Sequence, residues 1–295
     1  MKNLFYLLSV TALLFIWGCS NQSTITEKEL KASITATDHI HKTEGLKTKT
    51  MASAVEIMAR KQVPVLCYHH IKEVVGKNSA GYDVTIARFK EQMKALADSG
   101  YKTVTPDQLY NYLAYGGSLP KKPVMITYDD TDEEQFTIAK PEMDKYGFKG
   151  VYFIMTISIG RPRYMTKEQI KQLSDEGHVI ASHTWDHSRV DRYTTEHTID
   201  EGGRKKVVND WDQQLVKTKT KLEELVGKPV EYFAYPFGIW SKNGLPEIEQ
   251  RGYKMAFQLA TQRDSLQPLY TVRRVIVAPS WSGPGMLRAM QSSFH

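Results

Sequence analysis

The chain has 295 residues, 41% of them hydrophobic and 24% charged, with a formal net charge of +6. That length holds one large domain or two small ones, and the apolar fraction supports a real core. The positive excess is attributable to lysine-rich flanks. With no arginine-rich stripe, zinc-finger spacing or aromatic ribonucleoprotein motif beside it, it does not mark a nucleic-acid footprint.

The chain opens on Met1-Lys2-Asn3, then an apolar stretch from Leu4 to Trp17, then Gly18-Cys19-Ser20. This pattern predicts a secretory signal too short for a comfortable membrane span. Ile16-Trp17-Gly18-Cys19 resembles a bacterial lipoprotein signal, which implies cleavage before Cys19, a lipidated cysteine and a bacterial cell-envelope address, periplasmic or at the outer membrane or cell surface. The other cysteine, Cys67, lies in an apolar run and reads as a small buried side chain. If Cys19 is lipidated, no intrachain disulfide is available and stability rests on burial. Residues from 20 to about 50 are rich in Ser, Thr, Lys and Glu, a composition that predicts a tether, with a marginal helix over Met51–Arg60. The expected organisation is a signal over 1–18, a tether over 19–60 and one folded domain over 61–295.

From Val63 strand and helix signals alternate. Val63–Tyr68 reads as a strand ending at His69-His70, and Thr85–Ser99 has helical spacing closed by Gly100. A short strand over Tyr101–Thr105 precedes a helix opened by Pro106. The β-branched run Pro123–Tyr128 then stops at Asp129-Asp130, as a buried parallel strand does where it leaves the core. A helix to about Tyr146 follows, then a strand over Gly150–Ile157. A helix capped by Thr166 comes next, and a strand over His178–Thr184. A long polar helix is expected over Lys205–Val226, then a strand over Val230–Tyr235. A helix over Leu245–Arg251, strands at Tyr253–Leu259 and Thr271–Val277, and a helix from Gly285 complete the chain. This alternation predicts an α/β fold with parallel strands, best read as an incomplete or distorted TIM-like (β/α) barrel of about seven strands.

In such folds chemistry gathers at the carboxyl ends of the strands. Two adjacent carboxylates there repel each other unless a cation or a shared proton relieves them. His183 and His187, four residues apart in Ser182-His183-Thr184-Trp185-Asp186-His187, face one direction if the chain between them makes a helical turn. With a carboxylate from another strand end they make a two-histidine, one-carboxylate set that suits zinc, and also cobalt, nickel or ferrous iron.

Thr127-Tyr128-Asp129-Asp130, His183-Thr184-Trp185-Asp186-His187 and Tyr235-Pro236-Phe237-Gly238 resemble, in order, the first three motifs of the polysaccharide deacetylases, carbohydrate esterase family four, also called the NodB-homology domain. The resemblance spans Val63 to Val277. It implies that Asp129 is the general base toward the attacking water, and that Asp130, His183 and His187 bind a divalent metal, zinc first. It also implies that the Phe237 N–H stabilises the oxyanion, with Tyr235 beside it. Trp185 is the expected wall of the sugar groove.

Two departures stand out. Where the third motif has an arginine that contacts the base, this chain has Ala234; Arg273 or Arg274 is the candidate replacement. The C-terminal Leu-x-His motif is missing, and the terminal His295 does not supply it. Leu66-Cys67-Tyr68-His69-His70 resembles instead the opening element of the poly-β-1,6-N-acetylglucosamine deacetylases, which makes His69 the candidate acid toward the leaving group. His70, His178 and His197 read as surface or packing histidines.

The resemblance thus implies a metal-dependent hydrolase that removes N-acetyl groups from an N-acetylglucosamine-containing polysaccharide. The expected partners are that glycan and, through the lipid alone, a membrane. The alternatives are an O-acetyl esterase of the xylan type and a glycan-binding lipoprotein without catalysis.

Overall fold

A computed structural model describes residues 50–76 and 81–294. The expected signal, Cys19, the tether as far as residue 49, and His295 lie outside the described residues. From Thr50 onward the chain forms one compact unit.

Helix α1 (Ala54–Ala59) falls within the stretch read as tether. Ser53 and Glu56 form its capping box, and its buried side chain, Ile57, joins the cluster that contains Val63, Leu109 and Leu113. That burial draws residues 54–59 into the folded body.

In chain order come β1 (Val65–Tyr68), β2 (His70–Lys72), β3 (Asp83–Thr85), α2 (Ile86–Asp98), β4 (Lys102–Thr103), α3 (Pro106–Tyr115) and β5 (Pro123–Tyr128). A wide turn over Gln135–Ala139 leads into α4 (Lys140–Asp144), then β6 (Gly150–Ile154), α5 (Lys167–Asp175) and β7 (Val179–Ser182). Strands β8 (His197–Glu201) and β9 (Arg204–Val208) precede α6 (Lys217–Val226), β10 (Tyr232–Ala234), α7 (Gly244–Gln250) and β11 (Met255–Gln258). The chain closes with β12 (Val272–Arg273), β13 (Val275–Ile276) and α8 (Gly283–Ser293).

The main sheet runs β12-β11-β10-β7-β6-β5-β1-β13, with β4 adding to β5, and every pairing in it is parallel. Its two ends, β12 and β13, are separated by one residue, Arg274. The sheet therefore curls until its last segment pairs with β11 on one side and β1 on the other. Taken as one bent strand they complete a seven-stranded distorted barrel, as expected.

Side chains alternate between the two faces of each strand. Val65, Met125, Val151, Phe153, Ala181, Ala234 and Phe257 fill the interior. Leu66, Tyr68, Ile126, Tyr128 and Ile180 face the helices, among them Phe89, Met93 and Leu96 of α2. Continued by one residue past each strand, the same alternation sends His69, Asp129 and His183 inward at the carboxyl-end mouth.

The expected helix over Lys205–Val226 is corrected. Its first residues belong to an antiparallel hairpin in which His197 faces Val208. Gly202 and Gly203, at φ 65° and 86°, make the two-residue turn. The helix starts only at Asp210 and runs through a π-helical stretch over Asp212–Val216 into α6.

Candidate active site

Asp129 and Asp130 follow β5, and the Asp129 N–H donates to the Tyr68 carbonyl at 3.0 Å, which ties the ends of β5 and β1. Gln135, fully buried, strengthens the tie by donating to the carbonyls of both His69 and Asp129. The backbone then turns sharply: Asp130 and Thr131 take φ of 76° and 74°. Across the mouth, the Thr184 hydroxyl accepts the His187 N–H at 2.9 Å and closes the turn that brings the His183 and His187 rings to 4.9 Å. Every non-glycine residue with positive φ among the described ones lies at this mouth: Asp130, Thr131, Arg163, Thr184, His187 and Phe237. Strain of this kind persists where the surroundings enforce it, and it concentrates at functional sites.

Asp130 Oδ1 lies 3.5 Å from His183 Nε2 and 3.3 Å from His187 Nε2. The Nδ1 of His183 sits 2.8 Å from the Ala234 carbonyl, so the Nδ1–H donates there and Nε2 keeps its lone pair toward Asp130. Asp130 Oδ1 is buried without a hydrogen-bond partner. Two imidazole nitrogens and an orphaned carboxylate oxygen, all within 4.8 Å of one another, are the donor set of a divalent cation, and the residues present fit one. The structure thus brings together the three residues expected to be metal ligands.

Asp129 is held differently. Arg274, whose side chain is fully buried, donates to both of its oxygens, Nη1 to Oδ1 at 2.6 Å and Nη2 to Oδ2 at 2.7 Å. Burial alone would raise this carboxyl; Arg274 and His183 overcome it and hold Asp129 well below the usual carboxylate range. Of the two candidate arginines, Arg274 therefore fills the place left by Ala234. Arg273 points elsewhere, donating to the Ser293 carbonyl at 3.0 Å.

His69 Nε2 approaches Asp129 Oδ2 at 3.9 Å, and its ring lies 4.8 Å from that of Tyr82. Burial pushes the His69 imidazole down, opposed in part by Asp129 and Asp130. Cys67, His69 and Asp129 form a second cluster of donor atoms. Arg274 already neutralises Asp129 there, and burial pushes the Cys67 thiol well up.

Phe237 takes φ 59° in the Pro236-Phe237-Gly238 turn, and its ring, 58% exposed, packs on His187 at 4.4 Å. Gly238 has no alternative: a Cβ there would fall 2.3 Å from that of Leu259.

Two expectations are corrected. Tyr235 shares the outward parity of Phe233, and its buried hydroxyl donates to the Tyr270 carbonyl, so it contributes to the core and not to a sugar groove. Trp185 is turned toward α6, with the ammonium groups of Lys217 and Lys221 at 4.4 and 4.6 Å from its ring centre. The cleft in front of the metal ligands, about 470 Å³, is lined instead by His70, Tyr82, Asp132, Arg163 and Tyr164, together with Phe237. His70 is thus a cleft residue, paired with Asp132 at 2.8 Å. His178 does pack: its Nδ1 accepts the Gly150 N–H at 3.0 Å.

Residues 116–256 match the family model described as polysaccharide deacetylase. YxkH of Bacillus subtilis (strain 168), a polysaccharide deacetylase by name alone, is 29% identical over 227 residues, covering 75% of this chain and 74% of that one. The poly-beta-1,6-N-acetyl-D-glucosamine N-deacetylase of Staphylococcus aureus is 26% identical over 193 residues, covering 62% of this chain and 63% of that protein. Among solved structures, the Streptococcus pyogenes deacetylase PplD in complex with acetate shares the fold, with a TM-score of 0.68 at 22% identity over 78% of this chain and 98% of that one. Barrel and motifs together resemble those of carbohydrate-acting deacetylases. Within that class the chain is similar to polysaccharide deacetylases, whose family model its residues 116–256 match.

Proposed function

We propose that this chain hydrolyses the N-acetyl groups of an N-acetylglucosamine-containing polysaccharide, releasing acetate, with a divalent cation held by Asp130, His183 and His187. The observation that carries the reading is the orphaned Asp130 oxygen facing two imidazoles, next to a second carboxylate that a buried arginine keeps ionised. When bound, the cation polarises the acetyl carbonyl and makes water a better proton donor.

The chain's own groups do the rest. Asp129, ionised by its clasp with Arg274, takes the proton from the attacking water. The Phe237 N–H donates to the oxygen that gains negative charge as the carbonyl carbon becomes tetrahedral, a contribution worth a few kcal/mol (~3) in comparable sites. His69 delivers a proton to the nitrogen as the C–N bond breaks, so that an amine departs and acetate remains. The glycan is assigned through the Staphylococcus aureus relative, of whose length this chain covers 63%.

The apolar segment before Cys19 supports an envelope address with a lipid anchor. The reading of a glycan-binding protein without catalysis drew its support from the missing arginine of the third motif; Arg274 removes that support.

The test is acetate release from N-acetylglucosamine oligomers and from acetylated xylan, after chelation and after return of zinc, cobalt or nickel. Release from the oligomers, lost on chelation and restored by metal, is expected. His69→Ala should reduce amide cleavage far more than ester cleavage, because an alcohol leaves without full protonation. No release from either substrate under any metal rejects the reading.

A further inference from the structure

The end of the barrel opposite the cleft carries a surface that the chemistry does not use. Helix α1 presents Val55, 77% exposed, and Met58 to the outside, and Met51, 46% exposed, lies just before it. The loops entering β1 and β5, at the amino ends of their strands, add Lys61, Lys121 and Lys122 around a groove of about 490 Å³. Gln62 links that groove to a neighbouring cavity, where Met58 meets Arg263 and Arg273.

Among the described residues, none of these five cations is paired with a carboxylate. Lys122, Arg263 and Arg273 donate to the carbonyls of Ser99, Pro268 and Ser293, which carry no formal charge. The Nε atoms of both arginines are buried without a hydrogen-bond partner. Burial, and then the repulsion of Arg273, lowers Arg263 to about 10. Glu56, the carboxylate of α1, is turned back onto its own N-cap. Exposed apolar side chains ringed by unneutralised lysine and arginine are the chemistry of a membrane-surface contact.

We propose that this face docks on an anionic lipid bilayer, the apolar side of α1 entering the headgroup layer and the five cations meeting lipid phosphates. The cleft, at the other end of the barrel, then looks away from the membrane. This contact is additional to any lipid on Cys19 and independent of the reaction proposed above.

The full chain is mixed with vesicles of phosphatidylcholine alone and of phosphatidylcholine with phosphatidylglycerol, and amide hydrogen exchange is followed on both. Residues 51–62 and 117–123 are expected to exchange about tenfold more slowly on the anionic vesicles, with the cleft segments unchanged. The triple variant Lys61→Glu, Lys121→Glu, Lys122→Glu should lose that protection while keeping its acetate release from soluble oligomers. Equal exchange on the two vesicle types overturns the proposal, as does failure to bind either or protection that survives the triple variant. The same protection from inorganic phosphate without vesicles would assign the cations to a free anion and overturn the bilayer.

Discussion

The two ends of the barrel solve one backbone problem in opposite ways. At the amino ends, where helices turn back into strands, the left-handed positions are glycines: Gly100, Gly116, Gly147, Gly177, Gly227 and Gly252. At the carboxyl ends, besides Gly160 and Gly238, the same dihedral region holds Asp130, Thr131, Arg163, Thr184, His187 and Phe237. A side chain in that region costs about 1–2 kcal/mol that glycine does not. The difference shows where a side chain is needed in spite of its conformation. Two of the six offer candidate metal donors, and Thr184 and Phe237 brace His187.

The comparison can be pressed hardest at Arg274. Replacing it with Met leaves Asp129 charged, buried and alone, and the urea midpoint should fall by the equivalent of about 3–5 kcal/mol. An unchanged midpoint would mean that the clasp contributes nothing to the strained end. Next in size, Asp130→Gly removes a ligand and relaxes the backbone together. Acetate release should drop at least about a thousandfold, near 4 kcal/mol of barrier, while metal content falls and thermal stability holds or rises. A variant that still binds metal would remove Asp130 from the ligand set.

A third prediction belongs to the relaxed end. His178 is buried and accepts the Gly150 N–H, and burial depresses its pKa from the ordinary 6.5 to about 4. The fold prefers the neutral ring, so this contribution is complete above pH 6.5 and is lost as pH falls from 6.5 toward 4. About 3 kcal/mol is at stake, and His178→Gln should flatten that part of the stability-against-pH curve. The smallest effect is expected at Gly227, whose φ is 67° with nothing near a prospective Cβ. Gly227→Ala isolates the dihedral and should cost about 1 kcal/mol with activity per folded molecule unchanged.

Much of this architecture is legible from residues alone. β5 announces itself by a β-branched run ending at two carboxylates, and the histidine turn by its four-residue spacing. The family motifs then connect them. The choice between Arg273 and Arg274 was also within reach, because side chains alternate and only the one sharing Val272's parity turns inward. The same rule would have sent Tyr235 outward with Phe233. Trp185 follows its strand, where parity no longer applies, and its direction depends on α6, a distant element. The hairpin over His197–Val208 was hidden by its lysines, which suit a solvated helix equally well. Gly202-Gly203 was the signal that a helix could not run through. Cleft residues such as Tyr82 and Arg163 carry no pattern of their own, since loops from several strand ends bring them together.

The placement of Arg274 has a consequence for the life of the molecule. It is the single residue between the two segments that seal the barrel, and it follows the three candidate ligands by more than eighty positions. A chain still emerging from synthesis, or clipped after Tyr270, would hold every metal donor and lack the counter-ion of its base. Acetate release from such a truncated form, measured beside the intact chain, should be absent. Competence thus arrives only with the segment that seals the barrel, well after every candidate ligand has been synthesised.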